Sequence, residues 1–150
     1  NAYAPGSTDL AGNPRIVGGR VDVGAYEFQL DPFHAWLAQH GLATDGSADY
    51  ADTDYDHHNN WQEWVAGTSP TNAFSVLRML SATGADSALT VTWTSVTNRA
   101  YTLERATNLG AAPAFSVLQT NIAGLQDNTS WTDTNIPGTA PQFYRVQVAD

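Results

Sequence analysis

Cysteine is absent from this 150-residue chain, and lysine is absent as well. Without cysteine the chain can form no disulfide, no thiolate metal site and no cysteine nucleophile. The six basic residues are all arginine and stand against 15 acidic residues, so the formal net charge is -9. A phosphate backbone requires a basic patch on its partner, so this composition argues against binding to nucleic acid and to anionic membrane surfaces.

Long apolar runs are also missing. None approaches the roughly 20 residues that span a bilayer, so we expect no membrane span. The chain starts at Asn1 without the basic start and apolar core of a secretory signal, and we expect a mature or trimmed piece of a longer protein. Hydrophobic residues make up 42% of the chain, a globular value.

The chain divides into three regions that differ in composition and periodicity, residues 1–30, 31–72 and 73–150. The first is rich in glycine and proline and contains two short strand-like runs at residues 15–17 and 20–23. These runs predict an extended or β-solenoid-like segment. Its apolar area is too small for independent folding, so we expect it to lie against another surface.

The second region predicts two helices, because apolar residues recur there at positions i, i+3 and i+4. Pro32 suits the first turn of the first helix, and Gly41 and Gly67 mark the two helix ends. We expect both apolar stripes to face the core. The stripes are Phe33, Trp36 and Leu37 in the first helix, and Trp61, Trp64 and Val65 in the second.

The third region predicts short strands, because apolar and polar residues alternate there with period two. Turn residues separate the runs, which predicts an antiparallel β-sandwich and a mainly β fold for the whole chain. The runs cover residues 76–80, 89–94, 101–105, 115–118, 130–132 and 143–148.

An acidic loop between the two helices reads D-T-D-Y-D-H-H-N-N-W-Q-E. Carboxylates at loop positions one, three, five and twelve, with an amide at nine, match the spacing of twelve-residue calcium loops. Calcium binds six to eight oxygen atoms, and alternate residues of a tightly curved loop point to one centre. The predicted Ca²⁺ ligands are Asp52, Asp54, Asp56, the backbone carbonyl of His58, Asn60 and Glu63.

The loop departs from the usual pattern at position six, where His57 stands in place of glycine. That position needs a positive φ, so we expect some strain and weaker binding rather than loss of binding. A solvated acidic turn that caps the second helix is the first alternative. A transition metal held by His57 and His58 is the second, although adjacent histidines normally point apart and the oxygen-rich spacing favours a hard ion.

Residues 52–72 resemble the thrombospondin type 3-like calcium repeat of bacterial extracellular proteins, in the loop and in the following Gly67-Thr-Ser-Pro-Thr-Asn72. Residues 9–15 and 21–27 resemble the closing coil of parallel β-helix proteins of bacterial surfaces. Residues 101–108 and 143–146 resemble the C-terminal β-sandwich of large secreted proteins of Verrucomicrobia-like bacteria, which is loosely similar to fibronectin type III domains. These resemblances imply a secreted, extracellular or cell-surface location.

The sequence contains no nucleophile elbow and no phosphate-binding glycine loop, and no spacing of carboxylates identifies a glycosidase pair. We therefore expect a non-catalytic structural or adhesion module. One alternative is a carbohydrate-binding module, with Tyr55, Trp131 or Tyr144 stacking on a glycan. Another is a subunit of an extracellular fibre or surface assembly, in which residues 16–26 self-associate or dock a parent β-helix by strand addition.

Overall fold

The computed structural model describes residues 30–85, 88–136 and 141–149, together with the backbone of residues 16–17 and 20–21. In the N-terminal region, β1 (Ile16–Val17) and β2 (Arg20–Val21) pair antiparallel. The association surface predicted for residues 16–26 lies outside the described residues, apart from these four backbone positions. The solenoid-like character of residues 1–30 stays a prediction.

The first predicted helix is confirmed as α1 (Pro32–Gln39). Asp31 begins it, because its side-chain Oδ1 accepts hydrogen bonds from the backbone N–H groups of Phe33 and His34. Proline in the first turn costs no hydrogen bond, since that N–H has no partner within a helix. Phe33 and Leu37 are buried, so this stripe faces inward as predicted.

The second predicted helix is confirmed as α2 (Asn60–Ala66). Asn59 caps it reciprocally with Gln62, each side chain bonding to the backbone of the other. Gly67 ends it with a φ of 75°, a left-handed conformation that glycine adopts without steric cost.

The face that α2 buries differs from the prediction. Trp61 and Val65 are exposed to 40% and 37%, whereas Asn60, Glu63 and Ala66 are buried. The apolar stripe is therefore buried only in part: Trp64 packs on the core, whereas Trp61 and Val65 keep much of their surface in solvent. The physical reason is that the loop before the helix folds against the side that carries Glu63, so polar side chains occupy the interior there.

Residues 79–148 form six strands in two three-stranded antiparallel sheets, with strand orders β3-β4-β7 and β6-β5-β8. The mainly β character predicted from the sequence is confirmed. The likeness to fibronectin type III stays a prediction. The strands are β3 (Met79–Ala85), β4 (Ala88–Ser95), β5 (Ala100–Ala106), β6 (Ser116–Ala123), β7 (Asp127–Asp133) and β8 (Phe143–Val148).

Both sheets contribute to one core, the arrangement of a β-sandwich. Val91 and Trp93 from β4 meet Tyr101 and Leu103 from β5, and all four are buried to 99% or more. In β4 the alternation of apolar and hydroxyl residues places the former inward, since successive side chains of a strand point to opposite faces. Among the described residues, no helix has the length and apolar character to cross a membrane.

Three strands depart from their predicted bounds, and one of them is β7, which is longer at both ends than the run predicted at residues 130–132. The run predicted at residues 76–80 lies mostly before β3, and Val76 is buried outside the strand. The backbone of β3 continues to Ala85 through small and polar residues, which pair with β4 although they show no strong apolar alternation. The run predicted at 115–118 extends to Ala123 as β6.

Candidate metal centre

Three aspartates meet in the loop between α1 and α2. Side-chain oxygens of Asp52, Asp54 and Asp56 lie within 4.8 Å of one another, a grouping that could hold a metal ion. Carboxylates this close repel one another, and a cation between them would convert that repulsion into attraction. The spacing of alternate residues therefore places these three predicted side chains together.

The loop acquires its curvature from its own side chains. Asp52 accepts hydrogen bonds from the backbone N–H groups of Asp56, at 3.2 Å, and His57, at 3.0 Å. Asp56 in turn accepts a bond from the N–H of His58 at 2.8 Å. Such local side-chain-to-backbone bonds close tight turns. As a result, the chain curls round the space that the aspartates face.

Two loop residues adopt the left-handed backbone region. Tyr55 has a φ of 65° and His57 a φ of 78°. The expectation that position six of the loop needs a positive φ is confirmed. A non-glycine residue is disfavoured there by its Cβ, so His57 keeps the loop in a strained conformation.

Glu63, in the first turn of α2, lies close enough to feel the charges of Asp54 and Asp56, although it is not part of the group whose oxygens lie within 4.8 Å of one another. Its side chain is fully buried, and Oε1 accepts a hydrogen bond from the Thr68 hydroxyl at 3.4 Å. Burial, reinforced by the negative charges of Asp54 and Asp56, raises the pKa of Glu63 to about 7. A carboxylate in this environment is unfavourable without a compensating positive charge.

Four carboxylate oxygens of this centre are buried and have no hydrogen-bond partner within the described part of the chain. They are both side-chain oxygens of Asp54, Oδ2 of Asp56 and Oε2 of Glu63. Buried polar atoms in folded proteins are normally paired, so a group of unpaired ones requires an explanation. Carboxylate oxygens are the ligands of hard cations, and the residues present thus fit a bound cation.

Asn60 has a second role that the spacing does not reveal. Its buried side chain donates from Nδ2 to the carbonyl of Ala48 at 2.7 Å, and its Oδ1 accepts from the Thr53 hydroxyl at 3.0 Å. Asn60 therefore ties the start of α2 to two earlier points of the chain, Ala48 and Thr53. Its Oδ1 has a second lone pair, and its role as a ligand stays a prediction.

The two histidines of the loop lie in different environments. His57 is exposed, whereas the ring Nδ1 of His58 is buried and lies 3.4 Å from Oδ1 of Asp56. The predicted contribution of His58 is its backbone carbonyl, which stays a prediction.

Aromatic packing holds the two helices in place around the loop. The Phe33 ring lies 4.9 Å from the Trp61 ring and 5.5 Å from the Trp64 ring, measured between centroids. Edge-to-face and tilted contacts at such distances are favourable. Because Trp61 and Trp64 flank Glu63 in sequence, this packing also fixes the position of that carboxylate.

The structure adds a cluster that the sequence analysis missed, in which His34 lies between two carboxylates. Its Nδ1 contacts Asp31, and its Nε2 lies 3.2 Å from Oδ1 of Asp49. The local contact had a signal, because Asp31 and His34 are three residues apart at a helix start. The contact with Asp49 crosses fifteen positions and has no local signal. Hydrogen bonding to Asp31 is the main cause that raises the pKa of His34.

The aromatic residues considered for glycan binding differ in exposure. Tyr55 is exposed to 85%. Trp131 packs against the sandwich core, and the Tyr144 hydroxyl donates to Asp133 at 3.0 Å. Of the three, Tyr55 alone presents most of its ring to solvent.

The centre thus combines a loop curved by its own side chains, a buried glutamate, and carboxylate oxygens that lack a partner in the described part of the chain. It lies between two short helices. Comparison with known proteins adds no relative to this picture. No family model matches the chain, and neither does any curated protein or solved structure.

Proposed function

We propose that this chain is a non-catalytic calcium-binding module, structural or adhesive, of an extracellular bacterial protein. The observation that carries the proposal is a set of four buried carboxylate oxygens on Asp54, Asp56 and Glu63, which have no hydrogen-bond partner among the described residues. They belong to a loop whose acid spacing is that of twelve-residue calcium loops. The extracellular location and the bacterial source rest on the sequence resemblances alone.

Calcium fits this centre better than the other common divalent ions. Magnesium demands near-ideal octahedral geometry and retains several waters, whereas calcium accepts six to eight oxygens in flexible arrangements. A loop that supplies several carboxylates from alternate positions suits the larger ion. Zinc and copper prefer imidazole or thiolate, whereas the grouped side chains of this loop are three carboxylates, with a single ring nitrogen, that of His58, near one of them.

The role we propose for the ion is structural. Bound calcium would cancel the repulsion among the carboxylates and thereby stabilise the folded loop, since a ligand stabilises the state that binds it. Glu63 extends that effect into α2, and the helix would then be held more firmly against the sandwich. A module of this kind can connect a parent protein, such as a β-helix docked through residues 16–26, to a terminal β-sandwich.

Isothermal titration calorimetry on chelator-stripped protein tests the proposal. We expect one calcium ion to bind with measurable heat and to raise the melting temperature. Asp54→Asn should lower the affinity at least about tenfold, because it removes a charged ligand. Asp45→Asn is the matched control, since Asp45 is exposed and accepts its bonds from Ser47. The absence of both heat and thermal shift at millimolar calcium would refute the proposal.

A glycan-binding role is the second candidate, and the exposure of Tyr55 favours it. An exposed aromatic ring in the candidate calcium loop can stack on the face of a sugar. Glycan-array binding that depends on calcium, and that Tyr55→Ala abolishes while Tyr50→Ala does not, would support this role. Tyr50 is a suitable control because it is also exposed, to 75%.

A further inference from the structure

A cleft of about 360 Å³ lies where the end of α2 meets one end of the sandwich. Part of its lining comes from α2 and the chain that follows, with Ala66, Thr68 and Phe74. The sandwich contributes Tyr101 near the start of β5 and Asp127 at the start of β7. A cleft of this size accommodates a small molecule or one long side chain, and binding sites form preferentially at such junctions.

The hydroxyl groups that β4 contributes to the cleft are already engaged within the chain. Thr94 Oγ1 donates to the backbone carbonyl of Val76 at 2.6 Å, and Ser95 Oγ donates to that of Leu125 at 2.9 Å. Each hydroxyl has one proton, so neither group can donate to a ligand as well. A sugar needs hydrogen-bond partners for several hydroxyls, and this lining therefore suits it poorly.

Asp127 is the only charged residue among the described residues that line the cleft. Antiparallel pairing with Ser95 places it there, at the end of β4. Its side chain is exposed and forms no hydrogen bond or ion pair with any described residue. The formal net charge of -9 repels anions and attracts cations. A cationic group is therefore the ligand that this carboxylate favours.

An aromatic ring and an apolar lining accompany this carboxylate. Phe74 is exposed to 86%, and its ring can attract a cation that lies within about 6 Å of the ring centre. The aliphatic residues Val76, Leu77 and Val96 also line the cleft. A ligand that combines one positive charge with an alkyl stem thus matches the carboxylate, the ring and the apolar lining together.

We propose that this cleft binds a primary alkylammonium group. The cation pairs with Asp127 and lies against the ring of Phe74, and the alkyl stem occupies the apolar part of the cleft. A free aliphatic amine and a lysine side chain share this chemistry. The inference goes beyond the proposed calcium function and does not depend on it, although Thr68 of the cleft also donates to Glu63 Oε1 at 3.4 Å.

Titration of the isotope-labelled chain with n-pentylammonium at pH 7, followed by NMR, tests the proposal. We expect saturable shifts of the backbone amides of Val96, Asp127 and Asn128, with a Kd of about a millimolar for so small a ligand. The neutral n-pentanol should bind about tenfold more weakly, because it lacks the charge that Asp127 and Phe74 attract.

Two substitutions separate the contributions to binding. Asp127→Asn should weaken binding of n-pentylammonium about fivefold, and asparagine tolerates the positive φ of this position. Phe74→Ala should weaken it by a similar factor. Asp45→Asn and Tyr50→Ala are the matched controls, since both residues are exposed and lie outside the cleft lining. Each control should leave the Kd within twofold.

The titrations are run with saturating calcium and again in chelator, so that the cleft and the metal centre are tested separately. Saturable shifts at the cleft in either condition support the proposal, whether or not calcium binds. Tighter binding of Nα-acetyl-lysine methylamide than of n-pentylammonium identifies a lysine side chain as the ligand, and the reverse identifies a free amine. The absence of saturable shifts at tens of millimolar, shifts confined to residues 52–56, or equal affinity for n-pentanol overturns the proposal.

Discussion

Arg99 donates a hydrogen bond from Nη2 to the backbone carbonyl of Trp64, with a distance of 3.0 Å between the two atoms. Arg99 lies in the turn between β4 and β5, whereas Trp64 follows Glu63 on α2. The guanidinium also lies against Gly67, where a Cβ atom would come within 3.1 Å of Nε. One side chain thus attaches the helix that carries a candidate ligand to the sandwich.

Arg99→Ala should uncouple the metal centre from the sandwich. In the unaltered chain we expect one unfolding transition, and we expect calcium to raise its midpoint temperature because the ion binds only the folded state. In the variant, the sandwich transition should become nearly independent of calcium, while calorimetric affinity changes by less than about threefold. Arg78→Ala is the control, since that side chain is exposed. Equal calcium shifts in the variant and the unaltered chain would show that Arg99 carries no coupling.

His57→Gly should stabilise the loop. The φ of 78° at this residue costs a non-glycine side chain on the order of 1 kcal/mol, and glycine removes that cost. Part of the gain is lost to the greater flexibility of glycine in the unfolded chain. We expect calcium affinity to rise a few-fold in titration calorimetry. Asn98→Gly is the control for relief of a positive φ away from the metal centre. It removes a φ of 64° in the β4–β5 turn and should leave calcium affinity unchanged.

The His34 cluster predicts a pH dependence of stability. Hydrogen bonding to Asp31 and the charge of Asp49 raise the pKa of His34 above its ordinary 6.5 in the folded chain. The resulting stabilisation is complete below pH 6.5 and is lost as the pH rises through the folded pKa. The same bond lowers the pKa of Asp31 below 3.8 in the folded chain. The stabilisation from Asp31 is therefore fully present above pH 3.8 and is lost as the pH falls through that lowered pKa.

Urea unfolding at a series of pH values, with calcium saturating, measures this effect. His34→Gln should lose the decline in stability above pH 6.5 and be less stable than the unaltered chain at pH 6. The control is His40→Gln, at the opposite end of α1, which should keep the decline. A variant at position 34 with an unaltered pH profile would contradict the prediction.

Gly124→Ala should destabilise the sandwich by about 2 kcal/mol or more. An added Cβ would lie 2.2 Å from the carbonyl oxygen of Val96 and 2.9 Å from that of Arg99. Both atoms belong to the backbone and cannot move aside without disturbing the β4–β5 turn. Gly110→Ala, where the nearest atom is the Asn108 side chain at 3.3 Å, should cost less than about 0.5 kcal/mol. Chemical denaturation distinguishes the two variants.

Elements with strong periodicity could be predicted from the sequence alone. α1 and α2 follow from their apolar spacing, and β8 begins and ends where its alternation does. β3 could not be placed well, because its later residues are small or polar and become a strand only through pairing with β4. The buried face of α2 was predicted only in part, for a related reason. Periodicity assigns apolar residues to the interior, whereas a charged centre here requires Glu63 inside.

In the metal centre, too, one part could be predicted from local sequence spacing and another part depends on tertiary contacts. The spacing of Asp52, Asp54 and Asp56 predicts their convergence, since alternate residues of a curved loop share one side. The burial of Glu63 and the bonds of Asn60 to Thr53 and Ala48 depend on how the loop folds back on α2. Contacts of that kind have no signature in local sequence.

The hydrogen bonds that Asp52 accepts from the loop backbone have a consequence for the speed of ion exchange. They shape the ring of ligands before any cation arrives, so capture needs little rearrangement of the chain. We expect entry to be limited by how fast the hydrated ion sheds water, and therefore to be nearly as rapid as diffusion permits. Variants of the loop should then alter the residence time of the ion far more than its rate of arrival.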